Sequence, residues 1–346
     1  MCSLPIGKQT NILQLNIEGI SRFKAEILGR LLQDNDVDVA VVQETHCATS
    51  EDLQKRAKVP GYTLAAAEYS GVHGIATYVR SSMVSMTNVT QNSQHDGVYI
   101  CTVRINSLHV TNVYKPPAAE LHQSSLTVLP HPAIYIGDFN AHHQDWGYEE
   151  SDTNGEELVE WADRNSIHLV FDAKDRKTFF SRAHCQGHNP DLSFVSCDAE
   201  GVPLQSSRVV LPAFPRSQHR PVLLTIGLSV PVVHSVPRPR WNFRKADWET
   251  YRRRLDDSIR FIPPVCENYN RFVGLVIATA KKTIPRGYRK QFIPCWNEES
   301  DRLYEELKDS EDPETAKQLL QSLDDARRSR WCETVESLDF THSSRR

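Results

Sequence analysis

The sequence lacks the features that mark zinc-binding, disulfide-linked and membrane-spanning proteins. Its eight cysteines form no C-x-x-C motif and no closely spaced pair, so neither a zinc site nor a disulfide framework is indicated. No apolar run approaches the roughly 18 residues that a transmembrane helix needs, and no basic region followed by an apolar stretch opens the chain. We therefore expect a soluble, unsecreted protein that works in a reducing compartment.

Internal repeats and low-complexity tracts are also missing from the 346 residues. A chain of this length buries roughly three quarters of its unfolded surface and can form one large domain with a smaller one. The net charge is only −4, but residues 1–230 hold 18 basic and 25 acidic side chains, whereas 231–290 has an excess of nine positive charges. This basic segment is either a phosphate-facing surface or a set of solvated helix faces.

The first residues follow the pattern of a β-α-β unit. A strand is predicted over 11–17, apolar residues at helical spacing follow from Ser21, and 37–42 is an uninterrupted apolar strand. A crossover of this kind places the two strands nearly parallel, with their polar ends on the same side. Asn16 and Glu44 are therefore expected to lie near each other.

Hairpin-like strands follow the crossover unit. The predicted strands lie at 74–80, 97–105, 108–114, 133–136, 167–171, 191–196 and 221–228, with a helix after Gly155. A mixture of crossover and hairpin connections favours an α/β fold with two packed mixed sheets flanked by helices over a doubly wound parallel sheet.

Composition changes near residue 230, which predicts a domain over 1–229, a proline-rich linker at 230–240 and a helical extension over 241–346. In the extension, aromatic residues such as Trp248 and Tyr269 recur at helical spacing. We interpret these stripes as core rather than as ligand contacts.

Polar residues close or follow the apolar strands at seven places: Asn16, Glu44, Tyr114, Asp138, Asn140, Asp191 and His219. Alone, a strand-end acid or amide is more often a turn or cap residue than a functional one. Together they are more informative, because ligands of open α/β sheets bind beyond the carboxyl ends of the strands.

This set of side chains suits phosphodiester hydrolysis. Mg²⁺ needs only one or two carboxylates together with phosphate oxygens, so Glu44 can hold it. Asp138 can accept a proton from the attacking water, with Asn140 positioning the reacting groups. Asp191 can accept from one ring nitrogen of His219, which favours the imidazolium and leaves the other nitrogen to donate to the phosphate.

Six motifs carry a family resemblance. They read LQLNIEG at 13–19, VVQET at 41–45, NVYKPP at 112–117, GDFNAHH at 137–143, PDLSFVS at 190–196 and SQHRPV at 217–222. Their order resembles that of the endonuclease/exonuclease/phosphatase superfamily, and within it the apurinic-type endonuclease domain of non-LTR, jockey-like retrotransposons. Trp146, Gly147 and Thr178 resemble that branch in particular.

The resemblance implies a four-layer α/β sandwich with a C-terminal helical extension, dependence on Mg²⁺ or Mn²⁺, and nicking of DNA. It makes Glu44 the metal ligand and Asn16 its neighbour. The remaining roles are Asp138 and Asn140 for the nucleophile and phosphate, Tyr114 for the phosphate, Asp191 and His219 as the orienting acid and its histidine, and Thr178, Ser217 and Gln218 as supporting or substrate-contacting residues.

The extension resembles the segment that joins endonuclease to reverse transcriptase in those elements. The chain ends where a polymerase would begin, so we expect an endonuclease with part of that linker. The expected partners are DNA and, further, element RNA or a separate reverse transcriptase, with no membrane. A DNA substrate implies an intracellular, nuclear protein.

One residue departs from the family pattern. The family usually has an acid immediately before the final histidine, where this chain has Gln218, and losing that charge is expected to weaken metal binding. Two alternatives stay open: a catalytically weakened or inactive nucleic-acid-binding remnant, and a phosphoesterase of the same fold acting on a non-DNA substrate.

Overall fold

The computed structural model describes residues 2–234, 240–287, 291–310 and 312–336. Its contacts divide the chain into two compact units. One comprises residues 7–228, and the other comprises residues 2–6 with the described residues from 229 onward. All the candidate site residues named above belong to the first unit, which we call the sandwich unit.

The strands in chain order are β1 (Cys2–Asn16), β2 (Val39–Gln43), β3 (Tyr62–Glu68), β4 (Ile75–Arg80), β5 (Thr87–His95), β6 (Val98–Ile105), β7 (Leu108–Tyr114), β8 (Ala133–Asp138), β9 (Ile167–Leu169), β10 (Phe179–Ser181), β11 (Gln186–His188), β12 (Asp191–Ser196), β13 (Ser206–Val210) and β14 (Val222–His234). The helices among them are α1 (Arg22–Asp34), α2 (Ser50–Arg56) and α3 (Thr153–Arg164).

These strands form two mixed sheets. One has the order β13-β14-β1-β2-β4-β3 and the other β5-β6-β7-β8-β12-β9, while β10 and β11 pair as a separate hairpin. The predicted parallel pairing of β1 with β2 is confirmed, with Asn16 opposite Gln43. In the second sheet Asp138 lies opposite both Tyr114 of β7 and Asp191 of β12.

Three apolar clusters hold the layers together. Leu28 of α1 packs in one cluster with Leu15 of the first sheet, and Val41 packs in a second with Ile136 of the other sheet. The third cluster joins Trp161 of α3 to the outer face of the second sheet. The order is therefore helix, sheet, sheet, helix, which confirms the predicted α/β sandwich.

Strands β3, β5, β10, β11 and β13 were not predicted. Of these, β3, β5 and β13 lie at sheet edges, and β5 reads TNVTQNSQH, with most of its side chains exposed. An edge strand of this kind depends on main-chain pairing and shows no apolar alternation in sequence. In addition, β1 begins at Cys2 rather than at residue 11, and α3 begins at Thr153 because Asp152 caps it.

The second unit contains β15 (Arg240–Trp241), β16 (Arg286–Gly287), β17 (Gln291–Phe292) and the helices α4 (Trp248–Ile259), α5 (Tyr269–Thr283), α6 (Glu298–Ser310) and α7 (Pro313–Glu336). Of the predicted linker, residues 230–234 form the end of β14 and residue 240 begins β15, while 235–239 lie outside the described residues. In the described ranges, no helix combines the length and apolarity that crossing a membrane requires.

The aromatic residues of this unit correct the core interpretation. Trp248 is 50% exposed, Tyr269 66% and Trp331 69%. Leucines such as Leu303 of α6 and Leu319 of α7 are buried instead, and these two helices are in contact. Helical spacing identified the helices correctly, but it could not show that their aromatic faces are left uncovered within the described residues.

Candidate active site

Side chains of the candidate site come from the faces of the two sheets that meet in the interior. Ile12 of β1 and Ile136 of β8 pack in the cluster between the sheets. Because alternate residues of a strand share a face, Asn16 and Asp138 point into the same layer. The polar residues thus stand where the apolar layer between the sheets ends.

Asp138, Asp191 and His219 form a buried cluster. Nδ1 of His219 lies 2.9 Å from Oδ2 of Asp191, and its Nε2 lies 3.9 Å from Oδ2 of Asp138. The two aspartates are 1% exposed and the histidine 6%. Since an ionised carboxylate only accepts hydrogen bonds, Nδ1 carries the proton that His219 donates to Asp191.

Burial and charge shift the proton affinities of this cluster. Burial raises the pKa of Asp138 to about 7, an effect that the charge of His219 opposes and that of Asp191 reinforces. Burial lowers the pKa of His219, but the carboxylates, led by Asp191 with its hydrogen bond, outweigh it and raise that pKa to about 9. The raised pKa of His219 favours an imidazolium that can donate a proton, beside an Asp138 carboxylate that can accept one once it is ionised.

Asn16 and Ser217 fix the cluster. Nδ2 of Asn16 donates to Oδ2 of Asp138 over 2.8 Å. Oγ of Ser217 donates to the backbone oxygen of Asn16 at 2.8 Å and accepts from the backbone N–H of His219 at 3.0 Å. Ser217 thus connects the loop that carries His219 to the strand that carries Asn16.

Glu44 and Tyr114 form a second, more open group. Glu44 follows β2 with a φ of 52°, and its Oε1 accepts from the Tyr114 hydroxyl at 2.8 Å. Its Oε2 lies 3.4 Å from Nε2 of His46, and its side chain is 21% exposed. Burial, with the adjacent charge of Glu44, raises the pKa of Tyr114, so the hydroxyl stays protonated and donating.

Asn140 lies at the mouth of the buried cluster. Its backbone N–H donates to Oδ1 of Asp138 at 3.2 Å, and its Nδ2 donates to the carbonyl of Lys115 at 2.9 Å. Asn140 and His219 line an open cleft of about 550 Å³ together with Phe179. Substrate can therefore reach the cluster from the Asn140 side.

Gln218 and Thr178 lie beside the cluster rather than in it. The backbone N–H of Gln218 donates to Oε1 of Glu18 at 3.0 Å, and its Nε2 lies 3.4 Å from the same oxygen. The Glu18 carboxylate also helps to raise the pKa of His219. Thr178 is fully buried, its carbonyl accepts from Arg220, and its Oγ1 has no hydrogen-bond partner among the described residues.

Sequence reasoning missed Glu18, although it lies within the LQLNIEG motif. It follows Asn16 by two residues, and its φ of 48° turns the chain after β1. Lys24 holds that turn, because its Nζ donates to the carbonyls of Ile17 and Glu18 at 2.6 and 3.0 Å. The spacing from Asn16 was visible in the sequence, whereas the approach of Gln218 from 200 residues away was not.

The residues present fit a hard divalent cation at the open group. Mg²⁺ takes oxygen ligands and keeps several waters, and Glu44 offers a partly exposed carboxylate that is close enough to Asp138 to affect its pKa. Asp138, Asp191 and His219 also bring one ligand atom each within 4.8 Å of one another. An imidazolium is a poor ligand, however, because its nitrogens carry protons.

Different groups of the site can carry different parts of a phosphoryl-transfer reaction. A metal at Glu44 would neutralise charge on a phosphate. Asp138 can take a proton from a water, with Asn16 holding its carboxylate in place. His219 can donate from Nε2 to a phosphate oxygen, with Asp191 fixing the ring.

The fold is an α/β sandwich with a buried cluster of two aspartates and a histidine at its strand ends, and sequence comparison identifies the family. A profile of the Endonuclease/Exonuclease/phosphatase family matches residues 13–257. The chain belongs to this family, as its six motifs predict.

Among individual proteins, the chain is similar to the RNA-directed DNA polymerase from mobile element jockey of Drosophila melanogaster, with 26% identity over 197 residues. That alignment covers 53% of this chain and 20% of the relative, so the chain spans about a fifth of the relative's length.

Two solved structures are also similar. The AP endonuclease LMAP from Leishmania major matches 64% of this chain and 88% of its own, with 16% identity and a TM-score of 0.51. The endonuclease domain of TRAS1, a telomere-specific non-LTR retrotransposon, matches 64% of this chain and 99% of its own, with 18% identity and a TM-score of 0.47. The likeness to LMAP shows a shared fold.

Proposed function

We propose that the chain is a DNA endonuclease of retrotransposon origin that uses Mg²⁺ or Mn²⁺ to hydrolyse, and so nick, phosphodiester bonds. The observation that carries the proposal is the buried Asp138–His219–Asp191 cluster, with a proton acceptor and a proton donor at the end of an open cleft. The similarity to a jockey polymerase and to an AP endonuclease supports DNA as the substrate, and a DNA substrate favours the nucleus as its location.

In this proposal Asp138 accepts the proton of the attacking water, and His219 donates to the phosphate with Asp191 as its orienting acid. Glu44 holds the metal, Asn16 supports Asp138, and Tyr114 supports Glu44. Asn140 positions the phosphate at the cleft, while Thr178, Ser217 and Gln218 support the loop of His219.

The test is a supercoiled-plasmid nicking assay with Mg²⁺ that compares the wild type with Glu44→Ala and His219→Ala. We expect nicked circle from the wild type and a loss of roughly 10²–10⁴-fold in His219→Ala, because one positioned acid or base contributes that much. No nicked circle above the Glu44→Ala background would refute the proposal. Phosphate release from inositol phosphates without nicking would favour the phosphoesterase alternative.

A second candidate function is nucleic-acid binding by the second unit, without catalysis. Phe243 and Trp248 are exposed, and their rings stack 6.0 Å apart. Arg252 and Arg253 of α4 are exposed as well. Exposed aromatic rings beside basic side chains are typical of surfaces that bind single-stranded nucleic acid by base stacking and phosphate neutralisation.

The full chain tests this candidate. Affinity for a single-stranded oligonucleotide should fall steeply as salt rises, and Arg253→Ala with Trp248→Ala should weaken it, while the wild type leaves plasmid DNA uncut. Unchanged affinity in that double variant would exclude this surface as the site of nucleic-acid binding.

A further inference from the structure

A chain of buried amide side chains lies one step deeper in the sandwich than the candidate site. Gln14, Gln43 and Asn112 are each at most 1% exposed. Gln14 precedes Asn16 on β1 by two residues, and Asn112 precedes Tyr114 on β7 by two. Because alternate residues of a strand share a face, the strands that carry the site also carry this amide chain.

The amide chain leads directly to the acid beside His219. Nε2 of Gln14 donates to Oδ1 of Asp191 at 2.6 Å and to Oε1 of Gln43 at 2.9 Å. Nε2 of Gln43 donates to Oδ1 of Asn112 at 2.7 Å, and Nδ2 of Asn112 lies 3.3 Å from Oγ1 of Thr77. The amide chain therefore joins strands of both sheets.

The direction of every amide is fixed from both ends. Nδ2 of Asn112 lies 3.2 Å from the backbone carbonyl of Ala76, which can only accept. Oδ1 of Asn112 must therefore accept from Gln43, and the oxygen of Gln43 must accept from Gln14. At the other end a carboxylate also only accepts, so the NH₂ group of Gln14 faces Asp191.

Stability alone does not explain these residues. Amides are costly to bury unless all their polar atoms are paired, and Oε1 of Gln14 has no hydrogen-bond partner in the described part of the chain. Methionine or leucine at these positions would fill the same space without polar atoms. The hydrogen bond to Asp191 gives a reason for burying amides at these positions, whereas packing gives none.

We propose that Gln14 is a positioning residue for Asp191 and, through it, for His219, and that Gln43 and Asn112 hold Gln14 in place. Both oxygens of Asp191 are then held, Oδ1 by Gln14 and Oδ2 by Nδ1 of His219 at 2.9 Å. The plane of the carboxylate sets the plane of the imidazole. The inference rests on the proposed nuclease function, since it assigns the amide chain to the group that donates to phosphate.

The first experiment measures kcat and KM for nicking in Gln14→Met, which keeps the side-chain length and removes the donor. We expect kcat to fall roughly 10–100-fold with an unchanged KM, the usual effect of losing a residue that orients a reacting group. The matched control is Thr102→Val, which removes the buried 3.0 Å hydrogen bond between Thr102 and Thr111 and should leave kcat unchanged. An unchanged kcat in folded Gln14→Met overturns the inference.

A double variant separates positioning from general damage. Because Asn112 acts through Gln14, Gln14→Met with Asn112→Leu should nick no more slowly than Gln14→Met alone. If the losses in nicking rate caused by the two substitutions multiply, Asn112 does not act through Gln14, and the inference is overturned. If Gln14→Met does not fold, Gln43→Met takes its place, since it interrupts the hydrogen bonds between Gln14 and Asn112 without removing a partner of Asp191.

The proton on Nδ1 of His219 gives a readout that does not need nicking. Its NMR resonance, recorded without metal or DNA, should move in Gln14→Met and stay in place in Thr102→Val. If the wild type fails to nick DNA, the proposed function fails while this measurement still decides the positioning role. An unmoved resonance in Gln14→Met overturns that role even if nicking is observed.

Discussion

The buried cluster and the open group of the candidate site present carboxylates in opposite environments. Asp138 and Asp191 are 1% exposed and hydrogen-bonded to fixed partners, whereas the Glu44 side chain is 21% exposed and is held on one oxygen by Tyr114. Burial moves the pKa of Asp138 toward neutrality, which suits proton transfer. A partly solvated carboxylate suits a hydrated cation. The difference indicates a division of labour within one site.

The largest effect is expected from Asp138→Asn, which keeps the shape of the buried acceptor and removes its basicity. Single-turnover nicking should slow by roughly 10²–10⁴-fold, while DNA affinity in a filter-binding assay stays unchanged. Asp163→Asn, on the exposed surface of α3, is the matched control and should behave as the wild type. Full activity in Asp138→Asn would show that the buried cluster does not accept the proton of the attacking water.

A smaller effect is expected on the pH dependence of kcat. Asp138 accepts a proton only when ionised, so activity should rise as pH passes its pKa of about 7. His219 donates only when protonated, so activity should fall as pH passes about 9. Asp191→Asn removes the largest influence that raises the pKa of His219, and the alkaline limb should move to lower pH. If the alkaline limb stayed at the same pH in that variant, the expected influence of Asp191 on the pKa of His219 would be contradicted.

The smallest effect on nicking is expected from Gln218→Asp, which introduces the acid that the family resemblance predicts at this position. Glu18 already provides a carboxylate there, so Gln218→Asp should change nicking by less than about fivefold, the range of a partly exposed charge pair. Glu18→Gln should reduce nicking by about twofold to fivefold, and adding Gln218→Asp to it should restore the rate. A much larger gain from Gln218→Asp alone would mean that the site lacks a charge that Glu18 does not supply.

Much of the fold and part of the site could be predicted from sequence. The uninterrupted apolar runs ending at Asp138 and Glu44 identified their strands, and the crossover between β1 and β2 is confirmed. The edge strand β5 was missed because its polar side chains carry no apolar pattern. The roles of the site residues remain predictions.

Contacts between distant segments were the part that sequence could not supply. Glu18 meets Gln218, and Gln14 meets Asp191 across 177 residues, through the packing of two sheets. No local pattern encodes such a meeting, because the two partners lie in segments that are far apart in the sequence. Exposure of Trp248 was likewise invisible, since helical spacing does not show what covers a face.

Calorimetric titration of Mn²⁺ into the DNA-free protein tests the division of labour most directly. Three proteins are compared: the wild type, Glu44→Gln and His219→Gln, each substitution replacing a candidate ligand by a neutral amide. We predict that Glu44→Gln abolishes binding and that His219→Gln retains it. Loss of binding in His219→Gln with retention in Glu44→Gln would place the metal among Asp138, Asp191 and His219 and would contradict this account.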